Sequence, residues 1–260
     1  MKKIILYFFA FILVQLVVEV PLVMLYKTVT GNNPATSAEI IITGCTLSGL
    51  LTIILFVWRK WHPLSFSYLR THPWHVLYWC VLLALGVLIP SQYLEEFIPE
   101  LLRTDLAADT FKTLMNTPWG YLAIGIFAPL VEETVFRGAI QREALKFFCG
   151  KGMSHWVAIA FTALLFAAAH GNPAQMPHAF LVGLLLGWLC YRSGSIVPGI
   201  VVHWVNNSVA FLGYALYPPL YDMETIDLFG GSYLRLAGAI ALSLALAIPA
   251  IYQLNRIMKR

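Results

Sequence analysis

Eight long runs of apolar residues alternate with short polar connections along this chain of 260 residues. Each run holds about 20 residues, which is the length of an α-helix that crosses a lipid bilayer. Because backbone groups inside a bilayer need internal hydrogen bonds, such long unbroken runs favour helices over a closed barrel. The sequence therefore predicts an all-α polytopic membrane bundle of about eight transmembrane helices, at residues 4–26, 38–58, 74–93, 119–140, 155–170, 174–191, 196–217 and 233–254.

The composition indicates one membrane domain rather than a soluble protein. Hydrophobic side chains make up 59% of the chain and charged ones only 12%, and the mean hydropathy is +0.74. Soluble domains carry about 25% charged residues. No repeat or second soluble domain is evident, so we interpret residues 1–260 as a single integral membrane domain. Four scattered cysteines lack metal-ligand spacing, which is typical of free thiols: Cys45, Cys80, Cys149 and Cys190.

The basic residues indicate how the bundle is oriented. Most of them share one predicted side: Lys2, Lys3, Arg59, Lys60, Arg70, Arg142, Lys146, Lys151, Arg192, Arg256, Lys259 and Arg260. Cytoplasmic loops carry the excess of Lys and Arg, so this bias predicts that both termini are cytoplasmic. It also explains the net charge of +4 without a nucleic-acid partner. The short loops favour a multi-pass protein of a bacterial plasma (inner) membrane.

Three charged residues interrupt the fourth apolar run, namely Glu132, Glu133 and Arg137. Ionisable groups inside a membrane cost about 2.5–3.5 kcal/mol each on insertion scales, so they require a compensating arrangement or a function. Glu133 and Arg137 are i, i+4 neighbours, and we expect them to form an ion pair. Glu132 points about 100° away at the 3.6-residue helical period. The spacing therefore predicts that Glu132 is free to face a cavity.

Two further polar pairs occupy later apolar runs at helical spacing. Phe166 and His170 share one face of the fifth run, and His203 and Asn207 share one face of the seventh. A carboxylate can activate water as a general base, and a neighbouring histidine and asparagine can stabilise an oxyanion. Four such residues on three helices therefore favour hydrolysis of a carbonyl compound.

These three motifs, in this order on separate apolar runs, resemble those of the CPBP intramembrane proteases. The matching positions are Glu132-Glu133-x-x-x-Arg137, Phe166-x-x-x-His170 and His203-x-x-x-Asn207. That family includes the type II CAAX prenyl endopeptidases and bacteriocin-immunity-like proteins, and its members are often described as metalloproteases. The resemblance covers residues 118–213, which we interpret as the catalytic core.

The resemblance implies an eight-helix enzyme whose site opens to the cytoplasmic side and the inner leaflet. Glu132, with help from His170, would activate water, and His203 with Asn207 would stabilise the oxyanion. Glu133, Arg137 and Phe166 would support them. The expected reaction is glutamate-dependent endopeptidase cleavage of a peptide or protein that reaches the membrane and can be lipid-modified. Bacteriocin processing, signal-peptide processing and immunity are further expectations of the resemblance.

Two other functional classes and a metal-dependent mechanism stay open. A non-catalytic immunity or peptide-binding protein would use the polar residues only for binding, and a small proton-coupled transporter would use a buried carboxylate. We expect no cofactor. The alternative is a zinc ion, for which Glu132, His170 and His203 would provide the three protein ligands of a catalytic site.

The positions of some polar residues within the spans leave questions for the structure. Glu19 lies near the end of the first run, and we expect its carboxylate to reach the interface. Gln175 and His178 either line the same cavity or form a polar interfacial end. His170 lies about 24 Å along the fifth span at 1.5 Å per residue. Either the site is near mid-membrane, or that helix is strongly tilted, or its start is misplaced.

Overall fold

The computed structural model describes residues 1–62, 65, 67–97, 108–173 and 175–258, which form helices and no strand. The long helices are α1 (Lys2–Thr30), α2 (Ala38–Trp58), α4 (Trp74–Glu95), α8 (His155–Ala169), α9 (Met176–Ser193), α10 (Val197–Leu216) and α11 (Tyr233–Ile257). The shorter ones are α3 (Ser67–Arg70), α5 (Ala108–Met115), α6 (Ala128–Glu132) and α7 (Arg142–Cys149). Three short 3₁₀ turns lie at Pro34–Thr36, Pro218–Asp222 and Asp227–Phe229.

The apolar runs predicted from the sequence are all helical, and their bounds differ from the observed ones by a few residues; Ala174, at the start of the sixth run, lies outside the described residues. Within the described residues, four helices are long and apolar enough to cross a membrane: Lys2–Thr30, Ala38–Trp58, Trp74–Leu94 and Tyr233–Ile257. His155–Ala169 is apolar but shorter, with 15 residues. The protein is therefore an all-helical membrane protein, while the count of eight spans and the side of the termini stay predictions.

The fourth run departs from a regular α-helix. Residues 122–149, which we call the glutamate helix, pass through a π-helical segment Leu122–Phe127, then α6, then a second π-helical segment Glu133–Gln141, then α7. A π-helix bonds each carbonyl to the amide five residues ahead, and such segments are frequent at functional sites. The 3.6-residue period assumed from the sequence is thus wrong for much of this helix.

The glutamate helix lies at the centre of the bundle, in contact with α1, α2, α8, α9 and α10. All nine residues of Glu133–Gln141 are buried. Phe136, on this segment, packs edge-on against Phe11 of α1 and Phe166 of α8. The central position brings the charged residues of the fourth run against the helices that carry the other two motifs.

Small residues allow close approach between the helices that surround the centre. A Cβ atom on Gly183 of α9 would lie 3.0 Å from the Cβ of Ala163 on α8. A Cβ on Gly86 of α4 would lie 2.6 Å from the backbone nitrogen of Ala247 on α11. Small residues at helix interfaces are the usual way in which membrane helices reach van der Waals contact.

Candidate active site

Glu133 and Arg137 form the predicted ion pair on the glutamate helix. The Nη1 atom of Arg137 donates to Oε1 of Glu133 at 2.9 Å, and both side chains have no solvent exposure. The Nη2 atom of Arg137 donates to the carbonyl oxygen of Gly183 at 3.2 Å. The guanidinium also lies 4.3 Å from the ring centre of Phe166, within cation–π range. Arg137 therefore pairs with one oxygen of the buried carboxylate and joins the glutamate helix to α8 and α9.

A second bond of the same kind lies one turn further along. The Nε2 atom of Gln141 donates to the carbonyl oxygen of Gly187 at 2.8 Å. A Cβ at Gly187 would lie 2.8 Å from Oε1 of Gln141, so a larger residue there would crowd this amide. We call these three residues, Glu133 with Arg137 and Gln141 that bond to α9, the buried seam. Sequence reasoning missed Gln141 and the two glycines, although Gly183-x-x-x-Gly187 is a small-residue helix-packing pattern.

His203, on α10, lies between the two carboxylates. Its Nδ1 is 3.4 Å from Oε1 of Glu133, and its Nε2 is 3.7 Å from Oε2 of Glu132. A carboxylate accepts, so the first contact assigns a proton to Nδ1. The structure thus brings the third motif to both residues of the first, across 70 positions of sequence.

Glu132 faces a cavity, unlike its neighbour. Its side chain is 23% exposed, whereas that of Glu133 has no exposure. The cavity has a volume of about 390 Å³, and its wall includes Glu132, His170, His203 and Asn207. Ligand-binding cavities are commonly 300–1,000 Å³. The four residues predicted to be catalytic therefore share one cavity wall.

His170 ends α8 and is oriented by the residue one turn before it. Its Nδ1 is 2.9 Å from the backbone carbonyl oxygen of Phe166, which can only accept a hydrogen bond. Nδ1 therefore carries a proton, and Nε2 of the neutral ring is an acceptor. The Phe166 ring meets His170 and His203 edge-on, with centroid distances of 4.8 and 5.9 Å. Phe166 thus packs against the rings of the second and third motifs.

Asn207 is held by a backbone group that a proline leaves free. Its Nδ2 donates to the carbonyl oxygen of Ile124 at 2.9 Å. In this π-helical segment the amide of Ala128 bonds to the carbonyl of Ala123, five residues earlier. The next amide in that register would belong to Pro129, which has none. The carbonyl of Ile124 is therefore available to Asn207, and one amide hydrogen of Asn207 stays available for another acceptor.

The cavity lies in the middle of the bundle and toward the end remote from both chain termini. Its wall includes the end of α4, the starts of the glutamate helix and α9, and the end of α10. Most of the basic residues lie at the opposite ends of these helices, whereas Lys27, Lys112 and Arg235 are at the cavity end. With both termini cytoplasmic, as the basic residues predict, this position would differ from the cytoplasmic opening that the family resemblance implies. It also explains the depth of His170, since α8 begins at His155 as predicted and the site is deep in the bundle.

Three polar residues outside the three motifs also line this cavity, namely Glu19, Gln175 and His178. The expectation that Glu19 reaches the interface is wrong, because it faces the cavity and accepts a hydrogen bond from Oγ of Ser48 at 3.0 Å. The sequence signal was present: Gln15 and Glu19 are i, i+4 neighbours in an otherwise apolar helix, and both line the cavity.

The arrangement does not form a metal site in the part of the chain that the structure describes. No group of three or more His, Cys, Asp and Glu side chains there has a geometry that could hold an ion. Nδ1 of His170 and Nδ1 of His203 both contact protein acceptors, so only the Nε2 atoms of the two rings are left to bind a metal. Because the described His, Cys, Asp and Glu side chains form no group that could hold an ion, we derive no step through a metal.

The chain is thus an all-helical membrane protein in which a carboxylate, two histidines and an asparagine line one internal cavity. The family model for type II CAAX prenyl endopeptidase, Rce1-like, matches residues 114–209. An Escherichia coli protein described only as an uncharacterized 24.3 kDa protein is 32% identical over 182 residues, which cover 65% of this chain and 77% of that protein. The chain belongs to the CPBP family of CAAX-type intramembrane proteases.

No solved structure matches the chain significantly. The matched segment 114–209 includes all three motifs and ends two residues after Asn207. The family match thus includes the motif residues of the cavity wall, while the parts of that wall on α1, α2 and α4 lie outside the matched segment.

Proposed function

We propose that this protein is an intramembrane endopeptidase in which Glu132 activates the water that attacks a peptide carbonyl. The observation that carries the proposal is the difference between adjacent glutamates. Glu133 is sealed and paired with Arg137, whereas Glu132 is 23% exposed to a cavity that also holds His170, His203 and Asn207. A general base needs access to water and to the scissile bond.

In the first step, Glu132 accepts a proton from water, whose oxygen bonds to the carbonyl carbon. The π electrons of the carbonyl move to its oxygen. Neutral His170 orients the water by accepting a hydrogen bond at Nε2, because its Nδ1 donates to the carbonyl of Phe166. In the second step the tetrahedral carbon expels the amine, which takes the proton from Glu132. The products are a carboxylic acid and an amine, which exchange a proton to become a carboxylate and an ammonium ion, and the Glu132 carboxylate is regenerated.

His203 and Asn207 would supply the hydrogen bonds to the oxyanion. With its ring protonated, His203 donates through Nδ1 to Glu133 and through Nε2 to the developing negative charge. The free amide hydrogen of Asn207 is the second donor, since the other one is held by Ile124. With His203 protonated, Glu132, Glu133, Arg137 and His203 carry a net charge of zero before the attack, which reduces the cost of holding them inside the bundle. Once Glu132 has accepted the proton of water, their net charge of +1 balances the oxyanion.

The substrate is a peptide or a membrane-anchored protein tail, which can carry a lipid. With the termini in the cytoplasm, the cavity is in the non-cytoplasmic half of a bacterial inner membrane. Substrates would then enter from that side. Gln175, at the cavity and at the start of α9, and the exposed native Cys149 on α7 lie at opposite ends of the bundle.

Thiol labelling of whole cells tests that orientation. A membrane-impermeant maleimide should label Gln175→Cys, made in a background without the other cysteines, in intact cells. It should label native Cys149 only after the cells are opened. The reverse pattern would place the cavity on the cytoplasmic side and overturn this part of the proposal, without affecting the proposed chemistry.

Cleavage of a quenched membrane-peptide library in liposomes tests the reaction. We expect Glu132→Gln to lower kcat/KM by at least about 1,000-fold, because removing one donor of an oxyanion hole alone costs 100- to 1,000-fold. Glu39→Gln, an exposed carboxylate at the start of α2, is the matched control and should cleave at the wild-type rate. Equal rates for wild type and Glu132→Gln would disprove the proposal.

The same assay with a chelator tests the metal alternative. Activity that survives chelation supports the metal-independent mechanism. Activity that is lost with chelator and restored by zinc would assign Glu132, His170 and His203 as ligands. Peptide binding without cleavage by any variant would instead favour the non-catalytic binding protein, and peptide-independent proton uptake would favour the transporter.

A further inference from the structure

Glu19 is a second carboxylate in the same cavity, outside the three family motifs. It lies on α1, the helix with the highest hydropathy of the four candidate spans, and it is partly exposed to the cavity. In the described residues, Ser48 is the one side chain that hydrogen-bonds it, and no Lys, Arg or His forms an ion pair with it. A carboxylate in an apolar helix that faces a cavity without a cation indicates a functional site.

The surrounding residues hold Glu19 in place and leave most of its acceptor capacity unused. The hydroxyl of Ser48, itself 3% exposed, donates to Oε1 at 3.0 Å. Gly44, one turn before Ser48, leaves room for the Glu19 side chain, since a Cβ there would lie 3.3 Å from Cγ of Glu19. A carboxylate has about four acceptor positions. Glu19 can therefore accept further hydrogen bonds from a ligand inside the cavity.

Glu19 and Glu132 are separated by about the spacing between two neighbouring helices. Ser48, which binds Glu19, precedes Gly49, whose Cβ would lie 3.0 Å from Cγ2 of Val131, next to Glu132. Neighbouring helices are 8–10 Å apart, so the two carboxylates are on the order of 10 Å from each other. An extended peptide covers that distance in about three residues, at roughly 3.3 Å each.

We propose that Glu19 is a specificity residue that binds a cationic group of the substrate, about three residues from the bond that Glu132 cleaves. The cation is either a Lys or Arg side chain or a free N-terminal ammonium group, since both donate N–H bonds to a carboxylate. The cavity wall also includes the polar Gln15, one turn before Glu19, and apolar side chains such as Phe11, Leu114 and Val131. The site therefore selects an apolar peptide that carries one positive charge.

This inference rests on the proposed endopeptidase function, and a series of peptides tests it. Each quenched peptide has the same apolar sequence in liposomes and carries one Lys at a different distance from the cleaved bond. A norleucine peptide with a free or an acetylated N-terminus completes the set. We expect wild type to prefer Lys about three residues from the bond, and Glu19→Gln to lower kcat/KM for that peptide about 10- to 100-fold.

The controls separate recognition from a structural role. Glu19→Gln keeps an acceptor for Ser48, and its kcat/KM should fall more for the Lys peptide than for the acetylated norleucine peptide, so that the preference for Lys is lost. Ser48→Ala removes the bond between the helices, keeps the carboxylate, and should keep the preference for Lys. If Glu19→Gln lowered kcat/KM equally for every peptide, Glu19 would be a packing residue and the inference would be overturned. A preference for the free N-terminus over Lys would identify the ammonium group as the ligand.

A binding measurement distinguishes failure of this inference from failure of the proposed function. Anisotropy of the labelled Lys and norleucine peptides is measured with detergent-solubilised wild type and Glu19→Gln. If nothing is cleaved but wild type binds the Lys peptide at least about tenfold more tightly than Glu19→Gln does, Glu19 is a cation site and the reaction is wrong. Equal binding of both peptides by both proteins would reject the Glu19 site whatever the cleavage result.

Discussion

The buried seam and the cavity hold adjacent glutamates in opposite surroundings. In the seam, Glu133 has no exposure and is bound by Arg137 at 2.9 Å. In the cavity, Glu132 is 23% exposed, and Nε2 of His203 is 3.7 Å from its Oε2. One step along a helix thus separates a carboxylate that joins helices from one that can meet water. The difference shows that their neighbours, rather than the residue type, determine what each glutamate can do.

The partners of the two glutamates explain this division. The i, i+4 spacing gives Glu133 its arginine, and the glycines of α9 leave backbone carbonyls within reach of Arg137 and Gln141. Glu132 receives no such partner and instead borders open space. His203 contacts both regions, so its position depends on the seam while its Nε2 faces the cavity side. Variants confined to one region should therefore affect either stability or activity.

Arg137→Met should have the largest effect on stability. It leaves the Glu133 carboxylate without its guanidinium partner in a place that water does not reach. Breaking a buried ion pair from one side costs about 3–5 kcal/mol, which should appear in the free energy of unfolding measured by denaturant titration in detergent micelles.

A double variant provides the control for this effect. Glu133→Gln combined with Arg137→Met removes both charges and should recover a large part of the lost stability, because no unpaired charge is left. Glu132→Gln should change the free energy of unfolding by less than about 1 kcal/mol. An equal loss in Glu132→Gln and Arg137→Met would break the distinction between seam and cavity.

Gly199→Ala tests how closely α10 approaches the seam. A Cβ at Gly199 would lie 2.6 Å from Oε2 of Glu133, so the carboxylate must move away from Arg137 or His203. Overpacking of this kind costs about 1–3 kcal/mol. Gly238→Ala, in α11, is the matched control, because its Cβ meets nothing within 4 Å. If both changes lowered the midpoint temperature of thermal unfolding equally, a specific contact at Gly199 would be contradicted.

The sequence predicted the features that depend on local order. Apolar runs gave the helices because their length and composition alone decide whether a segment spans a bilayer. The Glu133–Arg137 pair followed from helical spacing, and the motif resemblance indicated the family that the comparisons confirm. The catalytic roles of Glu132, His170, His203 and Asn207 stay predictions, although the structure brings them to one cavity.

Features that depend on contacts between distant segments could not be predicted in this way. The bond of Gln141 to Gly187 joins positions 46 residues apart, and that of Asn207 to Ile124 joins positions 83 apart. Glu19 was assigned to the interface because depth along one helix does not show which neighbour it faces. The π-helical register was also missed, since it arises where buried side chains and Pro129 disturb the regular backbone.

Phe166→Leu should lower activity by more than its loss of stability can explain. The ring lies 4.3 Å from the Arg137 guanidinium and packs edge-on against His170 and His203. Losing a cation–π contact removes about 0.5–2 kcal/mol, and the two imidazoles lose the surface that orients them. We expect kcat/KM to fall about tenfold, the equivalent of about 1.4 kcal/mol. The control is Phe56→Leu, a fully buried ring that contacts Tyr7 and Trp61. Similar activities of the two variants would show that Phe166 is only a packing residue.

Tyr121→Phe should have the smallest effect. It tests whether a bond that only holds α10 in place contributes to catalysis. The Tyr121 hydroxyl accepts from Nε1 of Trp204 and shares a hydrogen bond with Ser208, both at 2.9 Å. It therefore joins α10 to the start of the glutamate helix, as the Asn207–Ile124 bond does beside the cavity. Removing the hydroxyl should lower the free energy of unfolding by about 0.5–1.5 kcal/mol and leave kcat/KM within about twofold.

Asn207→Ala removes a bond between the same two helices and should cost similar stability, but it also removes the proposed oxyanion donor. Its kcat/KM should therefore fall about 100-fold or more. The two variants are compared by unfolding in detergent and by cleavage in liposomes. If both lose activity in proportion to stability, Asn207 only holds α10 in place. If activity falls in Asn207→Ala alone, the cavity-side amide acts on the reaction, because the loss of a contact between these helices is common to both variants.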